Sequence, residues 1–97
     1  MLKFEIVLCK KRFNEAIQEE TLYKAYPNKK GHHQVFVGTE RYLIRPRRTL
    51  VRSERDFYLN FFKPIGCLLL RNVKECKEMQ NKSIDEILEI MKMEELT

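Results

Sequence analysis

Apolar and polar residues alternate through the first nine positions. Leu2, Phe4, Ile6 and Leu8 fall on one side, and Lys3, Glu5 and Val7 on the other. A period of two with β-branched residues predicts a strand over 2–9. The spacing then lengthens, with Phe13, Ala16 and Ile17 on one helical face. This predicts a helix over 11–25, although the stripe slips at Glu20, Thr21 and Lys24. A shorter helix followed by a strand over 21–26 satisfies the same pattern. Tyr26-Pro27-Asn28-Lys29-Lys30-Gly31 breaks any regular element and reads as a loop.

Short β-rich runs fill the middle of the chain. Strands over 34–38 and 41–45, joined by Gly38-Thr39-Glu40, form a hairpin. Pro46 interrupts any ladder, and Thr49–Arg52 is a further short strand. Residues 53–56 read as a polar turn. Phe57, Leu59 and Phe61 alternate with Tyr58, Asn60 and Phe62, which predicts a strand over 57–62. Lys63-Pro64-Ile65-Gly66 has the residue order of a type I turn, returning as a strand over 67–71.

The end of the chain is helical. Asn72 stands as an N-cap before Val73, Cys76 and Met79, and Ser83 has capping-box spacing to Glu86. Ile84, Ile87, Leu88 and Met91 then form an apolar stripe. The predicted order is β-α-β-β-β-β-β-α-α. That order implies an α+β fold in one small domain, residues 1–97. Its core is an antiparallel sheet, flat or strongly curled, with one helix in the N-terminal half and two C-terminal helices. The helices are expected to cover one face of the sheet.

Composition narrows the function classes. The chain has 97 residues, 43% of them hydrophobic and 34% charged, which fits a folded domain with a water-facing surface. No apolar run exceeds four residues, the length of Cys67-Leu68-Leu69-Leu70, which is far too short for a membrane helix. A lysine at position 3 interrupts the apolar start, against a secretory signal, so a cytoplasmic chain is the expectation. Three cysteines without a CxxC pair do not form a disulfide framework, and each reads as a small buried hydrophobe.

Charge is the most informative feature. Residues 1–63 carry 14 basic and 7 acidic side chains, whereas residues 64–97 carry 5 and 7. Six of the eight arginines lie between positions 41 and 55, offset there only by Glu54. Guanidinium groups suit phosphate because they release counterions and form charge-assisted, often bidentate, hydrogen bonds. Alternation sends Arg41 and Arg45 to one face with Leu43 between them. Arg41, Arg45, Arg47, Arg48 and Arg52 are therefore the candidate phosphate contacts, with Tyr42 and Tyr58 as candidate stacking groups. Lys10-Lys11-Arg12 and Lys29-Lys30 are smaller basic runs that either extend this ridge or are simply solvated.

Other chemistry is sparse. His32 and His33 follow Gly31 in a loop, and one of them beside an arginine and a tyrosine would suit RNA cleavage. No zinc-binding spacing, phosphate-cradling glycine loop or nucleophile motif is present, so neither a metal nor a cofactor is implied. No motif assigns the chain to a family.

The leading expectation is a small, non-enzymatic protein that binds nucleic acid through the arginine ridge. The alternative is an interaction module, an inhibitor or adaptor of the phage or mobile-element kind, docking on an acidic protein. A small toxin-like ribonuclease ranks third. A second use of the terminal helix, as a homodimer contact, ranks below packing on the protein's own sheet.

Overall fold

A computed structural model describes residues 1–46 and 53–95. The elements are β1 (Leu2–Cys9), β2 (Leu22–Pro27), β3 (His33–Val37), β4 (Glu40–Leu43), α1 (Glu54–Phe61), β5 (Phe62–Leu70), α2 (Val73–Gln80) and α3 (Ile84–Glu95). They build one antiparallel sheet in the order β4-β3-β2-β1-β5, with three helices. The α+β class expected from the sequence is the observed one. The strand predicted over 49–52 lies outside the described residues.

Both faces of the sheet carry a core and helices, which corrects the expectation of helices on one face. Phe4, Glu5, Ile6 and Val7 are four consecutive buried residues of β1. Even positions pack Phe4 and Ile6 with Tyr26, Leu68, Cys76, Ile87 and Met91, under α2 and α3. Odd positions pack Val7 and Cys9 with Tyr23, Ala25, Val35, Tyr58 and Phe62, under α1. Alternation therefore divides two cores here, not core from solvent. The α3 stripe is committed to its own sheet, with Ile87 and Met91 buried and Ile84, Leu88 and Ile90 packed around them.

Residues 10–21 contain no helix, contrary to the pattern at Phe13, Ala16 and Ile17. The Asn14 carboxamide oxygen accepts from the backbone N–H groups of Ala16 (2.9 Å) and Ile17 (3.0 Å), a local turn that competes with helix propagation. Glu20 then adopts a positive φ of 61°, and its N–H donates to the Cys9 carbonyl. Ile17 is a fully buried plug over the α1 side of the sheet. The strand over 21–26, the other reading of this stretch, corresponds to β2.

The segment expected to be a turn and a strand is α1. Ser53 is its N-cap, accepting from Asp56 N–H, and Glu54 and Asp56 sit where the helix dipole favours negative charge. The aromatic pairs Phe57–Phe61 and Tyr58–Phe62 meet at i,i+4, with ring centroids 5.2 and 5.3 Å apart. Spacing by four fits a helix as well as an alternating strand.

The chain passes from α1 straight into β5, so Pro64-Ile65-Gly66 forms no hairpin turn. Instead the register slips, with Ile6 opposite Gly66 and Val7 opposite Pro64, and Ile65 is the extra residue of a bulge. Proline is tolerated because β5 is an edge strand. Both C-terminal helices follow the predicted caps. Asn72 accepts from Glu75 N–H at 3.0 Å, and Ser83 Oγ accepts from Glu86 N–H at 3.2 Å. Among the described residues no helix is long and apolar enough to cross a membrane.

Candidate nucleic-acid interface

On the α2/α3 side, the β3–β4 ribbon extends beyond the helices and leaves an open groove of about 940 Å³. Three segments supply its basic rim. Lys29 and Lys30 come from the β2–β3 loop, Arg41 and Arg45 from β4 and its continuation, and Lys77 from α2. Tyr26, Gln34, Phe36 and Leu43 line it from the sheet. No carboxylate is among the described residues that line it.

The turn of the β2–β3 loop is built by Asn28. Its side-chain oxygen accepts from the N–H groups of Lys30 and His32, both at 3.0 Å, and Gly31 takes the positive φ of 84° that the bend requires. The far wall is fixed by Gln80 at the end of α2. Tyr26 Oη donates to Gln80 Oε1 at 2.7 Å, and Lys24 Nζ donates to the Gln80 carbonyl at 2.6 Å. Burial raises the Tyr26 hydroxyl above its ordinary pKa, so it remains a donor at neutral pH. Burial also lowers the Lys24 ammonium, with Glu86 opposing.

The predicted site residues separate. Arg41 and Arg45 line the same groove with Leu43 between them, in the arrangement alternation requires. Arg41 sits opposite Phe36 in the β3–β4 register. Arg45 also donates from Nε to Glu54 Oε1 at 2.7 Å, and His32 Nδ1 lies 3.0 Å from the other oxygen of that carboxylate. Partial burial opposes ionisation of Glu54, but the His32 and Arg45 contacts outweigh it and lower its pKa. Arg47, Arg48 and Arg52 lie outside the described residues.

The two tyrosines are not on this face. Tyr42 alternates to the α1 side, where it packs at the core margin and donates to Glu40 Oε2 at 2.7 Å. Tyr58 is a core residue of α1, 1% exposed, stacked on His33 at 4.5 Å and on Phe62 at 5.3 Å. A ring held in that way has no free surface for a base, which corrects its expected stacking role. Its hydroxyl is buried without a hydrogen-bond partner.

Arg55, in the same arginine block, serves the fold. Its two terminal nitrogens donate to the two oxygens of Glu5 at 2.7 and 3.2 Å, tying α1 to β1. His33 lies beside a second, smaller cleft with Lys3, Glu5, Arg55 and Tyr58. Burial, then the nearby Arg55 charge, lowers its pKa. Both histidines meet α1, His32 at Glu54 and His33 at Tyr58.

Two groove residues, Lys77 and Phe36, are not among those the sequence singles out. Phe36 alternates with Val35 and Val37, and that pattern is the signal that places it on the groove face. Nothing local marks Lys77, because only tertiary packing brings α2 to the rim of this groove. The Lys10-Lys11-Arg12 run lies elsewhere, with Lys11 Nζ 5.5 Å from the centre of the Phe61 ring. Cys9 and Cys76 are buried, whereas Cys67 is exposed on the edge strand.

Comparison with protein-family models, with curated proteins and with solved structures finds no match to this chain.

Proposed function

We propose that the protein binds nucleic acid through the groove bounded by β3, β4, the β2–β3 loop and α2. The observation that carries this reading is the convergence of Lys29, Lys30, Arg41, Arg45 and Lys77 on one concave surface. Cations arranged around a groove follow a phosphate backbone better than the same charges scattered over a convex surface. The +5 net charge of the chain adds long-range attraction for a polyanion. Arg47, Arg48 and Arg52 belong to the reading on sequence proximity and charge alone.

Fluorescence anisotropy against single-stranded RNA, single-stranded DNA and duplex DNA, at low and near-physiological salt, tests it. Binding is expected to survive the higher salt for at least one polymer. The Arg41→Ala/Lys77→Ala variant is expected to bind more weakly. It should also flatten the salt dependence, by about 0.7 to 0.9 in log–log slope for each phosphate no longer neutralised. If all three polymers dissociate at near-physiological salt, the reading fails and an acidic protein becomes the partner to seek.

A further inference from the structure

We propose that the groove is selective for single-stranded nucleic acid, and that Phe36 is the surface on which one base stacks. The inference rests on the nucleic-acid reading above and adds to it what charge alone cannot supply. Three rings form a ladder across the α2/α3 face of the sheet. Phe4 and Tyr26 stack at 5.6 Å with planes 20° apart, and Tyr26 and Phe36 at 4.5 Å and 22°. Phe4 and Tyr26 are buried, whereas Phe36 is only half-buried and lines the groove. The ladder therefore ends at the groove wall.

The neighbours of Phe36 suit a base and its phosphate. Arg41 is its register partner on β4, on the same face of the sheet, and also lines the groove. Gln34 lies two residues along the same strand face and also lines the groove. Its carboxamide oxygen is buried without a hydrogen-bond partner. Stacking needs a base face that is free, which a single strand offers and a duplex conceals. Ribose and deoxyribose strands present the same stacking chemistry, so the sugar is a variable of the test.

The probe is an oligonucleotide of about 12 residues, in the site-size range of single-strand grooves, carrying one 2-aminopurine. It is made as RNA, as DNA and as the matched DNA duplex. Wild type is expected to bind a single strand at least about 10-fold more tightly than the duplex, and to quench the 2-aminopurine on binding. Phe36→Leu, which keeps an apolar side chain in the core, is expected to lose about 10-fold in single-strand affinity with the salt slope unchanged. Phe36→Trp should retain the affinity and show quenching of its own indole emission. Equal affinity for duplex and single strand, or wild-type affinity in Phe36→Leu with no quenching in any protein, overturns the stacking role. In that case the salt-dependent weakening in Arg41→Ala would still support the charge-based groove. Absence of binding to every probe would overturn both.

Discussion

Replacing Arg55 with alanine leaves the Glu5 carboxylate, 4% exposed, without its bidentate partner. Removing one member of a buried ion pair costs about 3–5 kcal/mol, because the remaining charge is desolvated and uncompensated. The Arg55 side chain is 33% exposed, so water can enter as it leaves and soften the penalty. The guanidinium also lies 5.4 Å from the centre of the Tyr58 ring, and its attraction to that ring disappears as well. Together these give an expected destabilisation of about 2–3 kcal/mol. In a domain of this size that is roughly 10–20 °C in Tm. Urea and thermal unfolding followed by circular dichroism would measure it. Arg55→Met combined with Glu5→Leu removes both charges and is expected to recover most of the stability, since an apolar pair of similar volume is often neutral. A destabilisation below about 1 kcal/mol in Arg55→Ala, or a double variant as unstable as the sum of its singles, would refute the reasoning. Nucleic-acid affinity of the folded variant should be unchanged, because the pair lies on the other face of the sheet.

Three further outcomes are expected. The depressed pKa of His33 makes the unfolded chain the better proton acceptor, so stability should fall as pH drops from 7 towards 5. His33→Phe should flatten that slope in urea midpoints measured across the window, and an unchanged slope would exclude His33 as its source. A methyl added at Gly66 would overlap Met91 Sδ, so Gly66→Ala should cost about 1–3 kcal/mol. Combined with Met91→Ala it should cost less than the sum of the two singles, a non-additivity that a double-mutant cycle reads directly. Asn72→Ala removes the α2 cap and should cost about 1 kcal/mol in chemical denaturation.

Sequence and structure agree where the physics is local. β1 follows from its period of two and its β-branched residues, the 34–45 hairpin from its glycine-containing turn, and α2 and α3 from the caps Asn72 and Ser83. Disagreement begins where one pattern fits two periods. The aromatic run of α1 is spaced by two and by four together. Its capping signature, Ser53-Glu54-Arg55-Asp56, is legible in the sequence but competes with a stronger alternation. Pro64 and Gly66 mark an irregularity correctly, yet whether they make a hairpin or a bulge depends on what pairs with them. Of the candidate site, Arg41 and Arg45 are visible in the sequence with their shared face. The direction of Tyr58 follows from the helix, not from the strand that alternation suggests. Lys77 joins the groove only through tertiary packing.

The pairing of β1 with β5 has a kinetic consequence. Its register joins Cys9 to Phe62 and Leu2 to Leu70, residues 53 to 68 positions apart. The meander β1–β4 can zip from neighbouring turns, but the outer side of β1 stays unpaired until β5 docks. Closing so long a loop loses chain entropy before the new contacts return it. The rate-limiting event in refolding is therefore expected to be the arrival of β5, delivered across the sheet by α1. During synthesis, a chain stalled before residue 62 would present β1 as an open edge, at the stage when it is most prone to pair with another copy.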